Sequence, residues 1–104
     1  MKITYEGKPA WRVAYEMIVA IEGLEAMTIN GLPVTGKEVG YRKVFANSVE
    51  EARQDATRRL YHLGGNLVRS IRFFNTEPWH GEHLEKKTLM ADYGRYIARQ
   101  GLQA

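Results

Sequence analysis

His80 and His83 stand three residues apart, with Glu82 and Glu85 beside them. On a helix, positions three apart share a face, so two imidazoles can meet one metal ion, with Glu85 or His62 as a third ligand. The spacing falls short of a zincin motif, and the chain contains no cysteine to complete a zinc set. These residues read better as the polar start of a helix, and neither a metal nor a cofactor is expected. Nucleophilic chemistry has little more to draw on. The only serines are Ser48 and Ser70, and neither sits in a Gly-x-Ser-x-Gly elbow. Gly64-Gly65 has no following Lys-Ser/Thr and closes a helix rather than opening one, so it is no phosphate loop. Glu50-Glu51 falls in a helix's first turn, where carboxylates oppose the dipole. With no nucleophile, base and oxyanion donor in one pattern, no enzyme is expected.

Charge is more informative. The chain of 104 residues carries 15 Lys/Arg and 12 Asp/Glu. Residues 1–40 hold four basic against five acidic groups, and residues 76–104 hold four against four. Residues 41–75 hold seven (Arg42, Lys43, Arg53, Arg58, Arg59, Arg69, Arg72) against three (Glu50, Glu51, Asp55), a local +4. Such a segment attracts phosphate or an acidic protein surface. Its bland reading is a solvated basic face.

The elements that position these residues follow from periodicity. From Trp11 to Glu22 one parity is Trp11, Val13, Tyr15, Met17, Val19, Ile21, and the other is Arg12, Ala14, Glu16, Ile18, Ala20, Glu22. Strict alternation with one wholly apolar face predicts a long, half-buried strand. A short strand at 2–6 precedes it, with a turn at 6–9 that Pro9 ends. Residues 23–40 are rich in turn signals. Asn30-Gly31 suits a type I′ hairpin turn, and this segment is expected to project from the domain. Val39–Ala46 reads as a second strand. Ser48-Val49-Glu50-Glu51 matches a capping box opening a helix over 49–63 with the stripe Val49, Ala52, Ala56, Leu60, Leu63. Its two alanines permit close approach to a sheet, and Gly64-Gly65 caps its end. Asn66–Phe74 reads as the next strand, Asn75–Gly81 as a connector and Glu82–Gln100 as a second helix interrupted by Gly94. The crossover length predicts parallel strands on either side of the first helix. The expected fold is α+β in one domain over 1–104. It is a small mixed sheet of three to four strands with two helices mainly on one face, in the order β(β)βαβα.

If the apolar parities face the helices, the other sheet face displays Arg12, Glu16 and Glu22, then Arg42, then Arg72 with Phe74. An open face of arginines and an aromatic has the physics of a single-strand stacking platform, which the two carboxylates weaken. The candidate contact residues are Arg12, Arg42, Lys43, Arg58, Arg69, Arg72 and Phe74. Arg69 falls on the buried parity and is expected to reach water by its long stem at a sheet edge. Trp79 is expected to fold back over the core's edge, and Tyr93 and Tyr96 to pack helix against sheet.

The absence of cysteine fits a reducing, cytoplasmic setting. Glu6 and Lys8 arrive before any apolar run, so no signal peptide is expected, and Met17–Ile21 is far too short to span a membrane. The leading expectation is a non-enzymatic protein-binding module. It would be a small regulator or inhibitor, of the kind found among phage and mobile-element accessory proteins that act on a host or defence complex. The alternative is a nucleic-acid binder using the basic 41–75 segment.

Overall fold

The alternating segment becomes the central strand. The computed structural model describes residues 4–103, apart from the side chains of Glu82, His83, Glu85, Leu102 and Gln103. In chain order the elements are β1 (Thr4–Tyr5), β2 (Lys8–Ala20), β3 (Thr28–Ile29), β4 (Leu32–Pro33), β5 (Thr35–Phe45), α1 (Val49–Gly64), β6 (Val68–Pro78) and α2 (Glu82–Gln103). A 3-10 turn, Gly65–Leu67, joins α1 to β6.

β2 pairs antiparallel with β5 on one flank and with β6 on the other. β1 folds back on Lys8 and Pro9, so Pro9 lies within a paired strand instead of ending one. β5 and β6 therefore run in the same direction, as the crossover requires, with β2 between them. The fold is α+β, with a four-stranded sheet, a two-stranded one and two helices.

The helix placement differs from expectation. The odd residues of β2 meet α1. Val13, Val44 and Ala46 pack with Ala52 and Ala56, while Tyr15, Met17 and Val68 pack with Leu60. The even residues meet α2, since Arg12 bonds Asp92 and Glu16 bonds Tyr93. The two helices thus cover opposite faces. Alternation separates the faces of a strand but does not state what lies over the polar one. Here α2 brings the complementary charge.

Local chemistry accounts for the element ends. The Ser48 Oγ accepts from the Glu51 amide at 3.1 Å, as the capping box predicts. The Glu51 carboxylate reaches past Ser48 to the Asn47 amide at 3.2 Å and to Lys8 Nζ at 2.7 Å, tying the helix start to β2. Lys8 and the Asn47 amide hold the Glu51 carboxyl below its ordinary range. β6 carries two irregularities in its pairing with β2. Arg69 is skipped between Val68 and Ser70, and Phe74 between Phe73 and Asn75. The second sets Phe74 and Asn75 together on the α2 side, since both touch that helix.

Candidate functional site

The seven expected contact residues do not form one surface. Arg12 is fully buried, covered by α2. Its guanidinium pairs with Asp92 at 3.0 Å and Glu77 at 3.5 Å and lies 5.7 Å from the centre of the Tyr41 ring. Phe74 packs against Tyr93 and Tyr96 at centroid distances of 5.4 and 5.5 Å. The expected open platform of Arg12, Arg42, Arg72 and Phe74 is therefore absent, because α2 occupies that face. Arg72 remains exposed opposite Glu16. Arg69 is exposed at the irregularity in β6, as its long stem allows, and donates to the Asn66 carbonyl.

Arg42 lies on the α1 side, opposite Val13 in the β2–β5 register. With Asp55, Arg58, Arg59, His62 and Leu63 it lines an open groove of about 470 Å3. Asp55 bonds Arg58 at 2.8 Å and Arg59 at 2.7 Å, so one carboxylate offsets part of the groove's charge. The groove can attract an anion but holds no enclosed cradle for one.

Lys43 faces the α2 side and belongs to a third arrangement. Tyr41, Lys43 and Phe45 alternate on one face of β5, beside Ala14, Arg12 and Ala10 of β2. The small Ala10 and Ala14 leave room for neighbouring rings to lean inward. Lys43 Nζ lies 4.9 Å from the Trp79 ring centre and 5.5 Å from that of Phe45. Tyr41 meets Trp79 at 5.9 Å, and Tyr5 meets Phe45 at 5.7 Å. Tyr5 and Lys43 are exposed, and the other three rings are partly so. Trp79 does fold over the sheet's edge, and its amide donates to the Ala10 carbonyl. Sequence reasoning passed over Tyr41 and Phe45, whose alternation about Lys43 is the local signal for them. The long-range company of Tyr5 and Trp79 has no such local signal.

A fourth feature is the arm. Beyond the Ala20–Thr35 pair, β3 and β4 pair with each other in a separate short hairpin. Asn30 and Gly31 take φ of 54° and 80° at its turn, the left-handed pair that a type I′ turn requires. Met27, Ile29 and Leu32 are 49%, 62% and 69% exposed. The molecule measures 52 × 32 × 23 Å, so its long axis is more than twice its shortest.

The Tyr15 and Tyr93 phenols each bond a carboxylate. Burial, with help from the Glu38 charge, pushes the Tyr15 phenol up to about 12, and its hydroxyl donates to Glu38 at 3.2 Å. The Tyr93 hydroxyl donates to Glu16 at 2.7 Å, and that bond raises the phenol above its ordinary value. The side chains of His83 and Glu85 lie outside those described, so the His80–His83 pair is not placed. Among the described residues no three His, Asp or Glu side chains converge as a metal would require. Among the same residues no helix is long and apolar enough to cross a membrane. Comparison with protein-family models, with curated proteins and with solved structures finds no match for the chain.

Proposed function

We propose that the chain is a non-enzymatic protein-binding module of the cytoplasm that docks its β3–β4 arm into an apolar groove of a larger partner. It would act as a small regulator or inhibitor, in the manner of phage or mobile-element accessory proteins directed at a host or defence complex. The observation that carries this reading is the arm's tip. Three large apolar side chains stand in water on a preset turn, contributing nothing to the core. Isolated exposed apolar residues are ordinary, but a cluster on a projecting element marks a contact site. A two-residue turn of fixed conformation also limits the ordering entropy lost on binding. Glu16, Glu51, Asp55, Asp92, Tyr15 and Tyr93 are engaged in helix capping, ion pairs and hydrogen bonds, which supports binding over catalysis.

Capture from bacterial lysate tests the reading. The wild-type protein, a tip variant (Ile29→Asp with Leu32→Asp) and a helix-surface control (Gln54→Asp) are immobilised side by side. A protein retained by wild type and control but lost with the tip variant supports arm docking. Equal capture by all three, or none above background, overturns it.

A further inference from the structure

We propose that the strip formed by Tyr5, Phe45, Lys43, Trp79 and Tyr41 is a binding platform for single-stranded nucleic acid. It stands at the opposite end of the β2–β5 ladder from the arm's apolar tip and rests on separate observations. The rings come from three places in the sequence: β1, alternate positions of β5 and the residue after β6. The register of β2 with β5 and β6 brings them to one end of the sheet, on the α2 side, where Phe45 lies opposite Ala10 and the Trp79 amide bonds the Ala10 carbonyl. Neighbouring centroids are 5.7 and 5.9 Å apart, and Lys43 bridges the two ring pairs.

Tyr5 is exposed and the Phe45, Trp79 and Tyr41 rings are partly so, a series on which successive unpaired bases stack, independently of sequence. A lysine set among them places one positive charge where a backbone phosphate would pass. The surrounding charge permits this. Arg12 beneath and Arg95 on α2 together match the charges of Asp92 and Glu77, so this cluster sets no net negative charge against the strip. A proline-rich peptide also favours aromatic surfaces, but it has no use for a cation between the rings. A duplex hides its base faces in its own stack, so it gains only the phosphate contact. The platform therefore predicts a preference for single strands together with a shallow salt dependence, because one lysine releases few counterions.

The test is fluorescence anisotropy of the full chain with a labelled oligo(dT) of about 15 nucleotides and a duplex of equal length, a span suited to one small domain. Titrations are run at about 50 and about 200 mM salt, a range over which phosphate-dominated binding falls steeply. The expected result is single-strand binding at least about tenfold tighter than duplex binding, changing little between the two salts. Tyr5→Ala and Lys43→Glu, both at exposed positions, should each weaken it by about tenfold, the effect of losing one stacked base or one phosphate contact. Arg59→Glu, on the α1 side, should leave it unchanged. Unaltered circular dichroism establishes that each variant is folded. No binding at the lower salt overturns the platform. So does equal, steeply salt-dependent binding of both nucleic acids that is lost in Arg59→Glu, which would assign the contact to the α1 groove. Binding of a polyproline decapeptide without any oligonucleotide binding overturns it as well. None of these outcomes bears on capture by the arm, whose tip the variants leave intact.

Discussion

Arg12 carries its charge where water does not reach, and its partners decide what that costs. Desolvating an ion costs several kcal/mol, and attraction offsets it only with good geometry and satisfied donors. Arg12 meets this in part: Asp92 lies at 3.0 Å, Glu77 at 3.5 Å and the Tyr41 ring beside it, while its buried Nε has no acceptor among the described residues. The partners differ in their access to water: the Asp92 and Glu77 side chains are 13% and 37% exposed, against none for Arg12. The two ends of the pair should therefore respond unequally to removal. Asp92→Ala strands a buried guanidinium and should cost about 3 kcal/mol, at the lower edge for breaking a buried pair because Glu77 remains. Arg12→Met leaves two carboxylates that can hydrate and fills the volume with an adaptable apolar chain, so its loss should be about 1 kcal/mol. Urea denaturation of the two variants checks this. Equal losses would mean that packing, rather than uncompensated charge, governs the site.

At the scale of elements, α1 closes on β6 through a contact that runs against helix propensity. Gly64 is the last residue of α1 and has ordinary helical dihedrals, φ −93° and ψ −19°. By propensity, alanine there would stabilise by about 0.5–1 kcal/mol. A Cβ at this position would instead lie 2.5 Å from Val68 Cγ2, and Val68 is a buried β-branched side chain with little freedom to yield. Gly64→Ala should therefore destabilise, by about 1–2 kcal/mol, as overpacking does. A double-mutant cycle with Val68→Ala should show favourable coupling of about 1 kcal/mol, because the smaller partner removes the clash. Additive losses would place the strain elsewhere. The same elements show what can be read from the chain. α1, its Ser48 cap, the β2 alternation and the Asn30-Gly31 turn were all legible because each depends on neighbours a few residues away. β6 was legible only to Phe74, since Asn75-Thr76-Glu77-Pro78 resembles a connector. It stays paired because β6 is an edge strand, where proline is tolerated. The placement of α2 was hidden for another reason. Tyr93 and Tyr96 pack against the sheet as expected, but apolar periodicity does not pick out Asp92, the partner of Arg12, and Met90 and Ile97 of the same stripe stay exposed. The candidate platform of Arg12 and Phe74 failed with that placement.

For the whole molecule, the arm and α2 make opposite contributions to folding, and removing each should show it. The β2–β5 ladder runs without a break from Ala10–Phe45 to Ala20–Thr35. Ala20 and Thr35 lie directly opposite each other, so an Asn-Gly turn replacing residues 21–34 closes the hairpin with the preferred two-residue geometry. The deleted residues are mostly exposed, and a shorter loop lowers the closure entropy slightly. The shortened chain should keep one cooperative thermal transition within about 4 °C of the parent, the shift expected for less than about 1 kcal/mol at this size. Truncation after Trp79 should behave differently. It exposes Phe74 and leaves Arg12 and Glu16 without Asp92 and Tyr93, so the polar face of β2 loses its compensation. That variant should lose its cooperative transition and its near-ultraviolet circular dichroism while keeping part of the far-ultraviolet signal. Thermal scans in the two spectral regions separate the cases. If shortening the arm abolishes the transition, the tip belongs to the folding unit, and its exposed Met27, Ile29 and Leu32 no longer argue for a partner. If the arm is dispensable for folding, their exposure is left without a structural role, and that is the condition under which docking best accounts for it.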